Sequence, residues 1–294
     1  MEIKHIIMPY LGTPKDEDLL RFTTIYLRSD LVSYFLLTQA YQVLSERHRV
    51  TLRDVAGFPF VVPDQHPRPA VARGIVAKVA AFTRELEAAD VLDQEHLFQR
   101  KRPQLQSWIY QYFGLTDREA DLVREAVADL LPSVQPRGFA SLYTPLQHRA
   151  DTAQLARYAR RLQSELVEWR DALGGKGQFE VSVATDPKGQ AGPLGIVRVR
   201  VMPDDVEEPK TEVEEFEGAV QALLAHLRHE ELLPMRLGSN LYFAADTIIR
   251  GETSVYLVKP RIRRVWLERS AWRDADRLID AVRAVEEPIK EPVA

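Results

Sequence analysis

Three kinds of side-chain cluster in this chain have residue types capable of chemistry: carboxylates near a lysine, a histidine pair, and runs of arginine. Pro203-Asp204 with Glu208-Pro209-Lys210 has the groups with which a nuclease holds a divalent metal and activates water. Their spacing is too short for groups that come from successive strands, so the acidic run from Asp204 to Glu217 is expected to be a solvated linker. His226 and His229 lie three apart on an expected helix, beside Glu230 and Glu231. Two imidazoles at that spacing share a helix face, but the order is not His-Glu-x-x-His and no third ligand is evident. A polar helix end is the expectation. No glycine-flanked serine suggests a nucleophile elbow, and the chain has no cysteine, which excludes thiolate nucleophiles, disulfides and cysteine-ligated zinc. No catalytic residue, metal ligand or cofactor is assigned.

The arginines are better placed for chemistry of another kind. Arg47, Arg49 and Arg53 cluster where helical spacing gives way to an expected strand. Lys259, Arg261, Arg263 and Arg264 form a second cluster, interleaved with Pro260, Ile262 and Trp266. A guanidinium donates two bonds at once from a planar fork, which suits phosphate oxygens. The alternative for both clusters is solubility, or pairing with the acids of 204–217. Gln99-Arg100-Lys101-Arg102 is a weaker third candidate, expected rather to be a solvated loop.

Composition sets the frame. The 294 residues are 45% hydrophobic and 28% charged with a net charge of −4, an ordinary balance for a soluble globular chain. DNA contact would therefore depend on a local patch, since the whole carries no attraction for polyanions. Met1 leads into Glu2-Ile3-Lys4-His5 without a basic and then apolar leader, and no apolar run nears the ~18 residues of a membrane span. A cytoplasmic protein without membrane contact is expected.

The elements that must position these groups are read from periodicity. Thr13-Pro14 opens a helix burying Phe22, Ile25 and Tyr26; Asp30 is placed to cap the next, through Leu31, Tyr34 and Phe35. A helical turn from Thr51 precedes a strand at 58–62. Dense prolines at 59–69 suggest a boundary, followed by a helix over 69–88 and, after a linker or short helix near 90–102, a helix through Trp108 and Tyr112. Gly114 is placed for a left-handed cap, Thr116 and Glu119 for a capping box. A helix from Asp151 to Leu173 precedes a change of period to strands at Phe179–Val183, Leu194–Val201, Leu241–Ile249 and Ser254–Val258, with a helix through Val220 and Leu227 between them and a last helix capped by Ser270. The expected fold is α+β: N-terminal and central helices, then a C-terminal antiparallel sheet flanked by helices. Residues 1–66, 67–175 and 176–294 are the expected domains.

Several of these stretches carry a resemblance. The helices of 18–40, Arg47-His48-Arg49 and Gly57-Phe58-Pro59-Phe60 resemble the tail of the target-recognition region of adenine-N6 DNA methyltransferases of restriction–modification systems. Tyr112–Glu119, Pro193–Arg198, Tyr256–Pro260, Arg264–Trp266, Arg269–Ala271 and Asp274–Asp276 look like the segments that follow, in the same order. Such enzymes hold the target adenine with an Asn/Asp-Pro-Pro-Tyr/Phe motif and bind S-adenosylmethionine through a glycine-containing loop. Neither is present, and Met8-Pro9-Tyr10 lacks both the polar residue and the second proline. The resemblance thus implies a phage-defence protein without catalysis of its own: a specificity or accessory subunit that binds DNA beside a separately encoded methyltransferase or nuclease. It places Arg47, Arg49 and Arg53 near the DNA. It also leaves the apolar faces of 18–46, with Leu20, Phe22, Tyr26, Tyr34 and Phe35, as a partner-binding surface. A metal-dependent nuclease using carboxylates of the C-terminal sheet, or a structural remnant of a split methyltransferase, are the other functions considered.

Overall fold

The structure is a computed structural model that describes residues 14–39, 52–134, 144–186, 194–203, 211–232, 247–251 and 253–286. Arg47, Arg49, Asp204, Glu208, Lys210, the Thr13 cap and the 241–246 part of the expected strand lie outside these residues. The chain divides into two compact units, Met1–Ser141 and Leu142–Ala294, each with its own core.

The first unit is helical. Helices α1 (Pro14–Leu27), α2 (Asp30–Gln39), α3 (Leu52–Ala56), α4 (Pro69–Ala88), α5 (Val91–Phe113) and α6 (Asp117–Glu125) are followed by a π-helical turn at Ala126–Leu130 and the short α7 (Leu131–Val134). Phe22 and Tyr26 of α1, Ile75 and Val79 of α4, and Leu105, Ile109 and Tyr112 of α5 share one core. Between α1 and α2 the cap is Ser29, whose Oγ accepts from the Val32 N–H at 3.3 Å. Asp30 instead donates its backbone N–H to Gln106 and binds Arg102 at 2.6 Å. Helix α5 runs unbroken through Pro103, whereas the sequence leads to the expectation of a linker or short helix near 90–102 and then a separate helix. Its buried residues Phe98, Leu105, Ile109 and Tyr112 keep one helical face on both sides of the proline. Burial of that stripe offsets the ~3 kcal/mol local cost of a mid-helix proline. Gly114 takes the left-handed cap (φ 67°), and Thr116 and Glu119 form the capping box.

The strand expected at 58–62 does not form. Pro59 and Pro63 cannot donate to a ladder, and the free carbonyls are taken by tyrosines: Tyr26 donates to Pro59 O at 3.0 Å and Tyr112 to Val61 O at 2.5 Å. Phe58 and Phe60 pack on the core formed by α1, α4 and α5. The proline-dense segment is thus fastened into the first unit, which is why no domain boundary falls at residue 66.

The second unit is a five-stranded sheet between helices. Strands β1 (Gln178–Thr185), β2 (Leu194–Met202), β3 (Glu212–Glu215), β4 (Thr247–Arg250) and β5 (Ser254–Pro260) are arranged in the order β3-β1-β2-β5-β4. The α+β class with a C-terminal sheet is as expected. The sheet is mixed, however, because β3 joins β1 in parallel while the other pairs are antiparallel. Part of the expected acidic linker is therefore an edge strand: Val213 packs on the core, and Glu214 lies 3.7 Å from Arg198.

One sheet face presents Val181, Val183, Val197, Val199 and Leu257 to α8 (Thr152–Ala172) and α10 (Glu268–Glu286). The other presents Ile196, Tyr256 and Val258 to α9 (Ala219–His229). Helix α8 belongs with the sheet because Leu155, Tyr158, Leu162 and Leu166 seat on it, which moves the expected boundary near 175 back to about residue 142. The last helix begins two residues before Ser270, whose hydroxyl donates to Arg264 O.

Candidate nucleic-acid interface

The C-terminal basic run sits where β5 ends, and strand geometry separates its members. Residues two apart on a strand share a face, so Lys259 follows Leu257 toward α8 and α10. Its side chain is fully buried and ion-paired to Asp274 of α10, itself fully buried. Tyr158 of α8 donates to the same carboxylate oxygen at 2.7 Å. The ammonium lies 4.5 Å from the Tyr158 ring and 5.2 Å from the Trp266 ring. Trp266 in turn donates from its indole N–H to Pro260 O at 2.8 Å and covers Gly195 of β2. A methyl group on Gly195 would come within 2.7 Å of the indole, so glycine is what lets the ring approach the strand this closely.

Arg261 is also inside. Its guanidinium donates to Ala150 O at 2.9 Å, Asp186 O at 3.0 Å and Glu215 at 2.5 Å. Arg149 donates to the same Asp186 carbonyl, and Arg263 N–H to His148 O, so the 148–150 segment is stitched to the end of the sheet. Burial alone would raise the Glu215 carboxyl, but bonds from Thr152 and Arg261, with the charges of Arg261 and Arg149, hold it below the usual glutamate range.

Lys259 and Arg261 are therefore corrected from a phosphate-binding surface to a buried polar scaffold. Desolvated cations with acceptors already in place have no capacity for a phosphate. Of the same run, Arg263 is half-buried and Arg264 exposed, and Arg53 is exposed on α3.

No family model, no curated protein and no solved structure matches the chain.

The expected partner surface is revised in the same way. Phe22 and Tyr26 are 0% and 2% exposed in the first unit's core, where Phe22 packs at 4.6 Å from Tyr112 and Tyr26 at 4.9 Å from Phe113. Burial pushes the Tyr26 hydroxyl well above its ordinary pKa and that of Tyr112 up to about 12, so both stay donors to the proline-rich segment. Neither can dock a partner. Leu20, Tyr34 and Phe35 are half-buried and remain available at the margin.

His226 bonds Glu230 at 2.9 Å, one helical turn on, in keeping with a polar helix end. Among the described residues no group of three His, Asp or Glu side chains could hold a metal ion. No described helix is long and apolar enough to cross a membrane.

The Tyr158–Lys259–Trp266–Asp274 constellation escapes a reading of the sequence although its signals are present. Asp274 stands between Ala271, Ala275 and Leu278 on the buried face of an amphipathic helix, and Lys259 is in phase with Leu257.

Proposed function

We propose that the chain is a non-catalytic DNA-recognition or accessory subunit of a DNA modification or restriction system, acting with a separately encoded methyltransferase or nuclease. One observation supports this most. The stretches that carry the resemblance in the second unit meet in space: Gly195 and Lys259-Pro260 lie against the Trp266 indole, and Lys259 is paired to Asp274. Short motifs are weak singly; motifs from separate elements that close on one another act as a single structural device. Their task is to fix α8 and α10 on the sheet, the work of a scaffold that presents surfaces to other molecules.

DNA contact then rests on exposed guanidinium groups. Arg53 offers one in the first unit and Arg264 one in the second, and Arg47 and Arg49 precede Arg53 in the chain. Phosphate contacts of this kind position a duplex without reading its sequence. Substituting Arg47, Arg49 and Arg53 with alanine should weaken duplex binding and lower the salt slope by about 0.9 for each phosphate no longer neutralised. Arg53→Ala by itself should leave the melting temperature unchanged, because Arg53 is exposed. Unchanged affinity in the triple variant removes the N-terminal arginines from the interface.

A further inference from the structure

A groove of about 310 Å³ in the first unit, between α4 and α5, offers a second kind of contact. Lys78, Phe82 and Glu85 of α4 line it together with Lys101, Gln104 and Trp108 of α5. The spacing on each helix places these residues along one face.

Two features set this groove apart. Several arginines of the unit are paired with carboxylates: Arg21 with Glu17 and Glu87, Arg28 with Glu95, Arg73 with Asp64, Arg84 with Asp18, and Arg102 with Asp30. Lys78 and Lys101 enter no ion pair or hydrogen bond among the described residues, although both line the same groove. Trp108, moreover, packs on the core yet stays half-exposed on the groove wall. An indole surface beside two unneutralised ammonium groups matches a ligand with both a flat ring and a negative charge. Gln104 adds a donor and an acceptor, and Glu85 an acceptor for an amine.

An acidic peptide would use the lysines and leave the indole idle. A nucleotide uses both, through base stacking and phosphate pairing. Glu85 disfavours a long run of phosphates through the groove and suits the exocyclic amine of a base. Resting on the DNA-binding function proposed above, we infer that this groove takes one nucleotide of an unpaired DNA strand, its base against Trp108 and its phosphate held by Lys78 and Lys101.

Fluorescence anisotropy of the full chain with a labelled single strand of about twelve nucleotides, and with the matching duplex, tests this. Lys78→Ala with Lys101→Ala should weaken single-strand binding about tenfold or more and lower its salt slope by about 0.7 for each phosphate no longer neutralised. Trp108→Leu should cost the single strand about tenfold and leave the duplex unaffected, with Trp108→Phe restoring most of the loss. Melting curves confirm that each variant is folded. DNA binding that ignores both the lysine pair and Trp108 overturns the groove while leaving the DNA-binding function standing. No binding of either DNA overturns both. Displacement by dAMP at an equal nucleotide concentration overturns the strand assignment in favour of a free-nucleotide site.

Discussion

A buried ammonium and a buried carboxylate depend on each other, because a charge that loses its nearest partner is poorly solvated; without Lys259, Asp274 keeps only the longer contacts to Arg273 and Arg277, at 3.8 and 3.7 Å. Lys259→Met should therefore destabilise the second unit by ~3–5 kcal/mol, and pairing it with Asp274→Leu should recover much of the loss. Urea denaturation of the two singles and the double closes that cycle; additive losses would show that the pair is not coupled. DNA affinity should stay the same throughout, since neither group reaches solvent. Gly195→Ala forces its new methyl to within 2.7 Å of Trp266, and overpacking of this kind costs ~1–3 kcal/mol. Near-ultraviolet circular dichroism should register the displaced indole. At this scale the sequence is half legible. Strand alternation already puts Lys259 in phase with Leu257, but a cluster of four cations reads as a patch until their separate directions are known. Tyr158 looks like one more apolar residue on α8, because nothing local reveals that its hydroxyl meets Asp274.

Elements with a chemical signature of their own are read directly. Thr116 and Glu119 cap α6 as their spacing demands, and Thr116→Ala should cost ~1 kcal/mol of stability. Where tertiary burial overrides a local rule, the sequence misleads. Residues 90–102 read as a linker or short helix ahead of a second helix, yet the stripe from Phe98 to Tyr112 carries α5 unbroken across Pro103. Pro59 and Pro63 look like a linker, but tyrosine hydroxyls on α1 and α5 hold the segment between them. The acidic run looks solvated because parallel pairing of Glu212–Glu215 with β1 depends on a distant neighbour. That strand has a pH signature. The folded pKa of Glu215 lies below its unfolded value, so its contribution to stability is present above the unfolded pKa and is lost as pH falls through the folded one. Glu215→Gln should therefore shrink the stability difference between about pH 7 and the acid side of the carboxylate range. An identical pH dependence in wild type and variant would exclude this role.

At the scale of the whole chain, two separate cores imply two units able to fold by themselves. Residues 1–141 and 142–294, expressed apart, should each melt cooperatively. Loss of cooperativity in either piece would mean that its core is incomplete. The proposed function asks more of the intact chain: a stable scaffold whose exposed arginines and groove engage DNA while a partner performs the chemistry. Co-expression with a separately encoded adenine methyltransferase or nuclease of the same system, with the tag on one chain only, tests this most directly. A stoichiometric complex whose methylation or cleavage of DNA requires this chain is the predicted result. A chain that purifies alone, with the partner equally active in its absence, would contradict the proposed function.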